Sequence, residues 1–273
     1  MKIAGIPRNP KNSPNMSDKD MLLFNKIVEE LKNEGHSVEI LNEDDNYSTE
    51  YDAIFHMSRT ERTLDKLASC EAKGVYVTNS VQGVKNCSRE KFIEIFDKNK
   101  IRQPAYTHID TTNNKQFEIH FPGWLKKSEG WSCGIEDVQY IASEEDIEKA
   151  LSTHAAKGCN NLIFSEHITG DIIKFYGVES EDFFQWYYPD PSSTKFGLEK
   201  INGAAQKHTF DCKLLREEAF RAAKALNINI FGGDCIVTES GKIFIIDFND
   251  FPSFSPCRDK AAKKISTSIV KRK

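Results

Sequence analysis

The first hundred residues alternate short apolar runs with amphipathic ones, and the links between them are short. MKIAGI (1–6), SVEIL (37–41), DAIFHM (52–57) and VYVTN (75–79) have the length and apolar content of strands. After the first, Met21, Phe24, Ile27, Val28 and Leu31 recur at helical spacing behind Ser17, Asp18 and Asp20, and Gly35 stands where that helix would end. Residues 60–73 predict a second helix, closed by Gly74, and 88–99 a third with Ser88 as its cap. Strands alternating with helices in this way make a parallel sheet covered by helices.

Beyond Pro104 the rhythm changes. Residues 117–142 and 162–178 read as strands and loops, separated by a helix over 143–157 that Ser143, Asp146 and Gly158 bracket. No element is assigned to the turn-rich segment 179–210; its aromatic run at 183–188 reads either as core or as a cover over a substrate site. A helix over 213–226, strands at 234–238 and 243–249, and a fraying basic helix over 258–273 complete the chain. The fold class is α/β joined to α+β: a doubly wound N-terminal domain over 1–104, then a mixed portion over 105–273.

At 273 residues the chain is long for one core. Lys and Arg total 37 against 41 Asp and Glu, a formal net charge of −4, which gives no basic field for general nucleic-acid binding. No apolar run reaches the ~18 residues of a membrane span, and MKIAGIPRNPKNSP lacks the apolar stretch of a secretory signal, so a cytoplasmic location is expected. The seven cysteines are scattered and never spaced CxxC, which argues against a disulfide framework or a structural zinc site.

The densest chemistry lies near the C-terminus. FGGDCIVT (231–238) and KIFIIDFN (242–249) flank a turn, and a two-residue loop at Ser240 and Gly241 would set Asp234 directly opposite Asp247. Alternation puts Asn249 on the same face, leaving Cys235, Val237, Phe244, Ile246 and Phe248 for the core. Opposed like charges destabilise a sheet pair unless something compensates them. A divalent cation such as Mg²⁺, which takes one or two carboxylates plus phosphates, would do so; a plain solvated sheet face is the other reading.

FGGDCIVTESGKIFIIDFNDFPSF (231–254) resembles the metal-binding end of ATP-grasp enzymes, and three further segments resemble that family in the expected order. NCSREKFIEIF (86–96) is similar to its Lys-bearing helix, FPGWLKKSEGWSCG (121–134) to its ATP-binding strand and phosphate loop, and LIFSEHITGDIIKFYG (162–177) to its adenine hinge. The resemblance, nearest to RimK-like and D-alanine–D-alanine ligase-like carboxylate–amine ligases, implies ATP and Mg²⁺ as cofactors. It implies a central lid over about 105–165 and a metal-binding part over about 166–273. Asp234, Asp247 and Asn249 would hold the metal, and Lys91 and Lys126 the phosphates, helped by Ser128, Gly130 and Ser132. Glu166, His167 and Ile168 would offer backbone groups to adenine, Asp171 would accept from ribose, and Lys174 would face the phosphates.

The implied reaction phosphorylates a substrate carboxylate, which an amine then attacks, with ADP and phosphate released. Lys126 and Arg258 would take catalytic parts, Arg258 by anchoring an anionic substrate or the transferred phosphate. Small-molecule or peptide carboxylates and amines would be the partners, and a homodimer is the commonest assembly for such a chain. The sequence departs from the ligase pattern at Gly232, where related ligases often carry Arg, and at Asp247, commonly Glu. Asp-x-Asn followed by Phe-Pro also resembles inositol polyphosphate kinases of the same fold. A small-molecule kinase and a nucleotide-binding module without chemistry are therefore the rival readings. PRNPKNSPNMSD (7–18) follows the first strand at the carboxyl edge of the sheet, where open α/β sheets place ligands.

Overall fold

The computed structural model describes residues 1–13, 16–112, 118–128, 137–189 and 201–271. Four strands, β1 (Lys2–Ile6), β2 (Ser37–Ile40), β3 (Ala53–His56) and β4 (Tyr76–Thr78), form a wholly parallel sheet in the order β2-β1-β3-β4. Alternate residues of β1 and β3 serve opposite faces. Ile3, Ala53 and Phe55 meet α1 (Ser17–Asn33), whereas Ala4, Ile6 and Ile54 join the cluster containing Leu64 and Leu67 of α2 (Glu61–Ala72). Helices on both faces make this sheet doubly wound, as the alternation predicts.

One detail of α1 differs from the sequence reading: Met21 is exposed, and Leu23 takes its place in the core. Asp18 and Asp20 stand in the first turn as expected, and Asp20 is buried and faces Arg8. A short helix unforeseen from the sequence, α3 (Val81–Asn86), precedes α4 (Arg89–Lys98), and Ser80 caps it through its side chain.

A second sheet is antiparallel and takes the order β5-β8-β6-β7, from β5 (Tyr106–Asp110), β6 (Gly123–Lys127), β7 (Val138–Ile141) and β8 (Asn161–Glu166). Helix α5 (Glu144–Ala156) covers one face through Ile147 and Ala150, with Ser143 as its cap. A third sheet, also antiparallel, runs β10-β9-β11-β12, from β9 (Asp171–Val178), β10 (Phe183–Tyr187), β11 (Ile230–Val237) and β12 (Ile243–Asp250). The aromatic run at 183–188 is thus mainly the edge strand β10: Phe184 stacks at 6.2 Å on Phe175, and Trp186 meets Phe210 edge-on at 5.2 Å.

Beneath the third sheet, Phe231 stacks on Phe248 at 5.2 Å, Phe96 of α4 meets Phe248 edge-on, and α6 (Cys212–Leu226) closes the layer with Leu215, Ala219 and Ala222. Close-packed aromatics deform little, so this floor fixes what the opposite face presents. The parallel sheet is fastened to it by buried Asn79, whose Nδ2 donates to the Ile230 carbonyl at 2.7 Å while its Oδ1 accepts from the N–H groups of Asn229 and Ile230. The basic tail is helical over the described residues: α7 (Arg258–Lys271) buries Ala261, Ala262, Ile265 and Ile269 in the cluster that holds Phe24 of α1.

Candidate functional site

Where the three sheets approach one another lies a cleft of ≈ 350 Å³, within the range of small-ligand sites. On its floor, β9, β11 and β12 set Lys174 beside Asp234 and Asp234 beside Asp247. Lys174 Nζ donates to both carboxylate oxygens of Asp234 at 3.1 Å, and Asn249 Nδ2 donates to Asp247 at 2.9 Å. Opposed carboxylates are therefore tolerated in the protein alone because an ammonium neutralises one and an amide binds the other. With the Asn249 amide, two carboxylates and one neutral side-chain oxygen share this face. Hard cations accept that donor set when phosphate oxygens complete the shell. Among the described residues no group of three or more His, Cys, Asp and Glu side chains is placed to hold a metal, so protein atoms alone would not enclose one.

The predicted pairing of Asp234 with Asp247 holds, but not through the predicted turn. Thr238 N–H donates to Lys242 O at 3.0 Å, so the loop is the three residues 239–241, with Gly241 at φ +77°. That register would offset the acids by one residue. A β-bulge between Asp234 and Cys235 restores it. The correction also changes the faces: Ile243 and Ile245 are buried, while Phe244 and Ile246 are only half-buried, reversing the expectation for that half of the strand. Ile246 and Asp247 consequently both line the cleft, with Ile172 and Ile236 adding to its apolar wall.

Opposite the acids, β6 carries half-buried Lys126 in the cleft wall. Burial, with the nearby charge of Arg89, pulls its pKa from 10.5 to about 8, against the pull of Asp247 and Asp234. Lys91 does not join it: it is exposed and lies outside the cleft. Two positions apart on a helix is about 200°, so the neighbour that faces inward is Arg89, whose Nη1 donates to the Lys127 carbonyl at 2.7 Å. A basic residue directly after the cap Ser88 was the available signal for Arg89.

At the hinge, Glu166, His167 and Ile168 line the cleft as expected. Two of the backbone donors expected for a base are already used, Glu166 N–H on Ala105 O and His167 N–H on Pro122 O. The His167 ring accepts at Nδ1 from Trp124 Nε1 at 3.0 Å, and burial lowers its pKa, so it stays neutral with its proton on Nε2. Asp171, expected to accept from ribose, does not line the cleft. It is 2% exposed and accepts the backbone N–H groups of Gln206 and His208 at 2.6 Å each, which makes it the anchor of that loop.

Ser128 is buried and directly follows β6, its N–H donating to Asn161 O, without lining the cleft. Gly130 and Ser132 lie outside the described residues. Arg258 begins α7 away from the cleft, its Nε buried with no hydrogen-bond partner among the described residues. The guanidinium groups that do line the cleft besides Arg89 are Arg8 and Arg59, from the loops after β1 and β3. The sequence marked the loop 7–18 but not its arginine, since a single Arg in a Pro/Asn/Ser loop has no pattern of its own.

Gly232, paired with Asn249, also borders the cleft. A Cβ there would come within 2.7 Å of Pro252 Cγ and 2.9 Å of the Phe175 carbonyl, so the position has no room for a side chain.

The chain matches no family sequence model and no curated protein sequence. Its structure is similar to that of D-alanine–D-alanine ligase from Bacillus anthracis complexed with ATP, with TM-score 0.74 and 13% identity over 100% of this chain and 97% of the ligase. It is also similar to a RimK domain ATP-grasp protein from Sphaerobacter thermophilus, with TM-score 0.69 and 12% identity over 99% of this chain and 100% of that one. For the ATP-grasp ligase PsnB complexed with minimal precursor the values are 0.67 and 13%, over 99% of both chains.

Proposed function

Starting from the ATP-grasp fold that this chain shares with those ligases, we propose that it is an ATP- and Mg²⁺-dependent ligase joining a carboxylate to an amine. One observation carries the reading: Asp234, Asp247 and Asn249 stand on one wall of a cleft whose opposite wall presents Lys126 and Arg89. Acids for a bridging cation and cations for phosphate oxygens are what phosphoryl transfer needs from a protein. A carboxylate oxygen of the substrate would attack the γ-phosphorus, breaking its bond to the β–γ bridging oxygen and leaving ADP. The amine would then attack the acyl carbon and release phosphate.

Lys126 and Arg89 would bind phosphate oxygens, and Lys174 would turn from Asp234 toward them once a metal neutralises that carboxylate. Bound at Asp234, Asp247 and the Asn249 oxygen, Mg²⁺ would offset phosphate charge and fix the phosphate geometry. Ile172, Ile236 and Ile246 would flank the base beside Ile168, and His167 would offer its Nε2–H. We assign residues 1–104 to an N-terminal unit and 105–273 to the ATP-grasp unit, with small-molecule or peptide carboxylates and amines as substrates. Among the described residues no helix is long and apolar enough to cross a membrane.

Thermal unfolding tests the nucleotide site directly. At ~100 times its dissociation constant, a ligand stabilises the fold by ~2.7 kcal/mol. ATP with Mg²⁺ should raise the midpoint, EDTA should reduce the rise, and Asp247→Ala should nearly abolish it. No rise at millimolar ATP in folded wild-type protein would overturn the reading. Release of inorganic phosphate only when a carboxylate and an amine are both present marks the ligase, whereas a kinase would make ADP without it.

A further inference from the structure

We propose that Arg8, backed by Arg59, is the anchor for a free carboxylate on the substrate, separate from the carboxylate that reacts. The inference rests on the ligase reading and specifies its substrate class: compounds with at least two carboxylates. Arg8 follows β1 and Arg59 follows β3, the two central neighbours of the order β2-β1-β3-β4. The chain leaves β1 for β2 on one side and β3 for β4 on the other, so these loops flank the point where strand order reverses. Open α/β sheets place ligands in the crevice there.

The Arg8 side chain is 4% exposed and most of its donors are assigned. Nε pairs with Asp20 at 3.1 Å, and Nη2 donates to the Phe251 carbonyl at 2.7 Å and to the Asp250 carbonyl at 3.3 Å. Nη1 has no partner among the described residues, although it is buried and belongs to a side chain lining the cleft. Buried donors of charged groups are rarely left unmade, so one is expected to receive its acceptor from a ligand.

The surroundings suit an incoming anion. Arg59 donates to Asp250 through Nε at 2.7 Å, and Asp20 is also held by the Ser13 hydroxyl at 2.6 Å. Two arginines thus balance two aspartates. Arg59 and Arg8 stand close enough for their mutual repulsion to lower the Arg8 pKa, after burial itself, and an added anion relieves that repulsion.

The two loops are also tied together before any ligand arrives. Glu43 accepts from Asn9, Ser58 and Thr60, and Asn12 donates to Thr60 at 3.3 Å. Arg8 is therefore held rigidly, which favours a ligand of fixed spacing over an adaptable one. The two vacant N–H groups of Nη1 on a planar guanidinium suit the two coplanar oxygens of a carboxylate better than a phosphate, whose further oxygens would lie unbonded in a buried place. Along the cleft from Arg8, the acids of β11 and β12 and Lys126 mark where the second carboxylate of the same molecule would react.

The test measures the unfolding midpoint of wild type, Arg8→Gln and Arg8→Lys in titrations of glutarate, its monoamide glutaramate, L-glutamate and inorganic phosphate. Each titration is run without nucleotide and with a non-hydrolysable ATP analogue plus Mg²⁺. Glutarate or glutamate should raise the wild-type midpoint, and glutaramate should require at least about tenfold more for the same rise, as expected when one charged partner is lost. In Arg8→Gln the dicarboxylate should lose that advantage, and Arg8→Lys, which keeps charge without the fork, should fall between.

The proposal is overturned by an unchanged response to dicarboxylates in the Arg8 variants, by no response to them in wild type, or by a response to phosphate alone. If Arg8→Gln does not fold, Arg8→Lys carries the comparison. A nucleotide response without a carboxylate response sinks the anchor and spares the ligase reading; the reverse spares the anion site and sinks the nucleotide site.

Discussion

Lys126 should cost the empty protein stability, and replacing it by Met should recover part of that cost. Its ammonium faces a half-buried cleft wall, with no carboxylate at ion-pair distance among the described residues, and Arg89 repels it. A fall from 10.5 to about 8 corresponds to about 3 kcal/mol at 1.36 kcal/mol per pH unit. The side chain is not fully removed from water, so the measurable part should be about 1–3 kcal/mol. Below pH 8 both folded and unfolded chains carry the proton, and the penalty is present in full. Between about 8 and 10.5 the unfolded chain binds more protons than the folded one, so stability contributed by this group rises with pH. Urea unfolding of both proteins from pH 7 to 10.5, without ligand, isolates the group, because other lysines and tyrosines titrate alike in each. Lys126→Met should be the more stable at pH 7, with the gap closing toward pH 10.5, and it should lose most of the midpoint rise given by ATP and Mg²⁺. A variant less stable than wild type at pH 7, or a gap that does not change with pH, would refute the burial argument.

Three further outcomes follow from the surrounding structure. Asp250 is 1% exposed; burial pushes its carboxyl up, but Arg59 and Arg8 outweigh that and hold it below 3.8. Its contribution is present above pH 3.8 and lost as pH falls through the lower folded value, and Asp250→Asn should cost about 3–5 kcal/mol in urea unfolding at pH 7 by removing the buried carboxylate charge that Arg59 and Arg8 share. Acid unfolding of that variant should lack the corresponding loss. Gly232→Ala should destabilise by about 1–3 kcal/mol, because the new methyl meets Pro252 and a carbonyl, and an unchanged unfolding midpoint would contradict the packing described. Asp171→Ala removes both acceptors of the 206–208 backbone, so limited proteolysis should cut near residue 206 faster than in wild type.

The parts of the fold that local chemistry controls were legible before any tertiary contact was known. Period-two and helical patterning identified the parallel sheet, α1, α2, α5 and α6, because each element must present one apolar stripe wherever it is placed. Four motifs in order along the chain made the ATP-grasp fold legible, although no single one was specific. The pairing of Asp234 with Asp247 was also legible, but its cause was not: only the folded sheet decided that a bulge offsets a three-residue turn and moves Ile246 from core to cleft. The positive groups were the least readable. Lys91 has the residue type expected of a phosphate ligand, yet helix rotation gives the inward place to Arg89. Asp171 lies beside the hinge in sequence, yet a loop some thirty-five residues later consumes both its oxygens. Arg8, separated from Asp250 by more than two hundred residues, has no signature at all until the two sheets meet. A carboxylate or guanidinium carries the same charge in any loop. What it binds is fixed by which distant backbone and charges the packed core brings within three ångströms, and that is decided by tertiary structure alone.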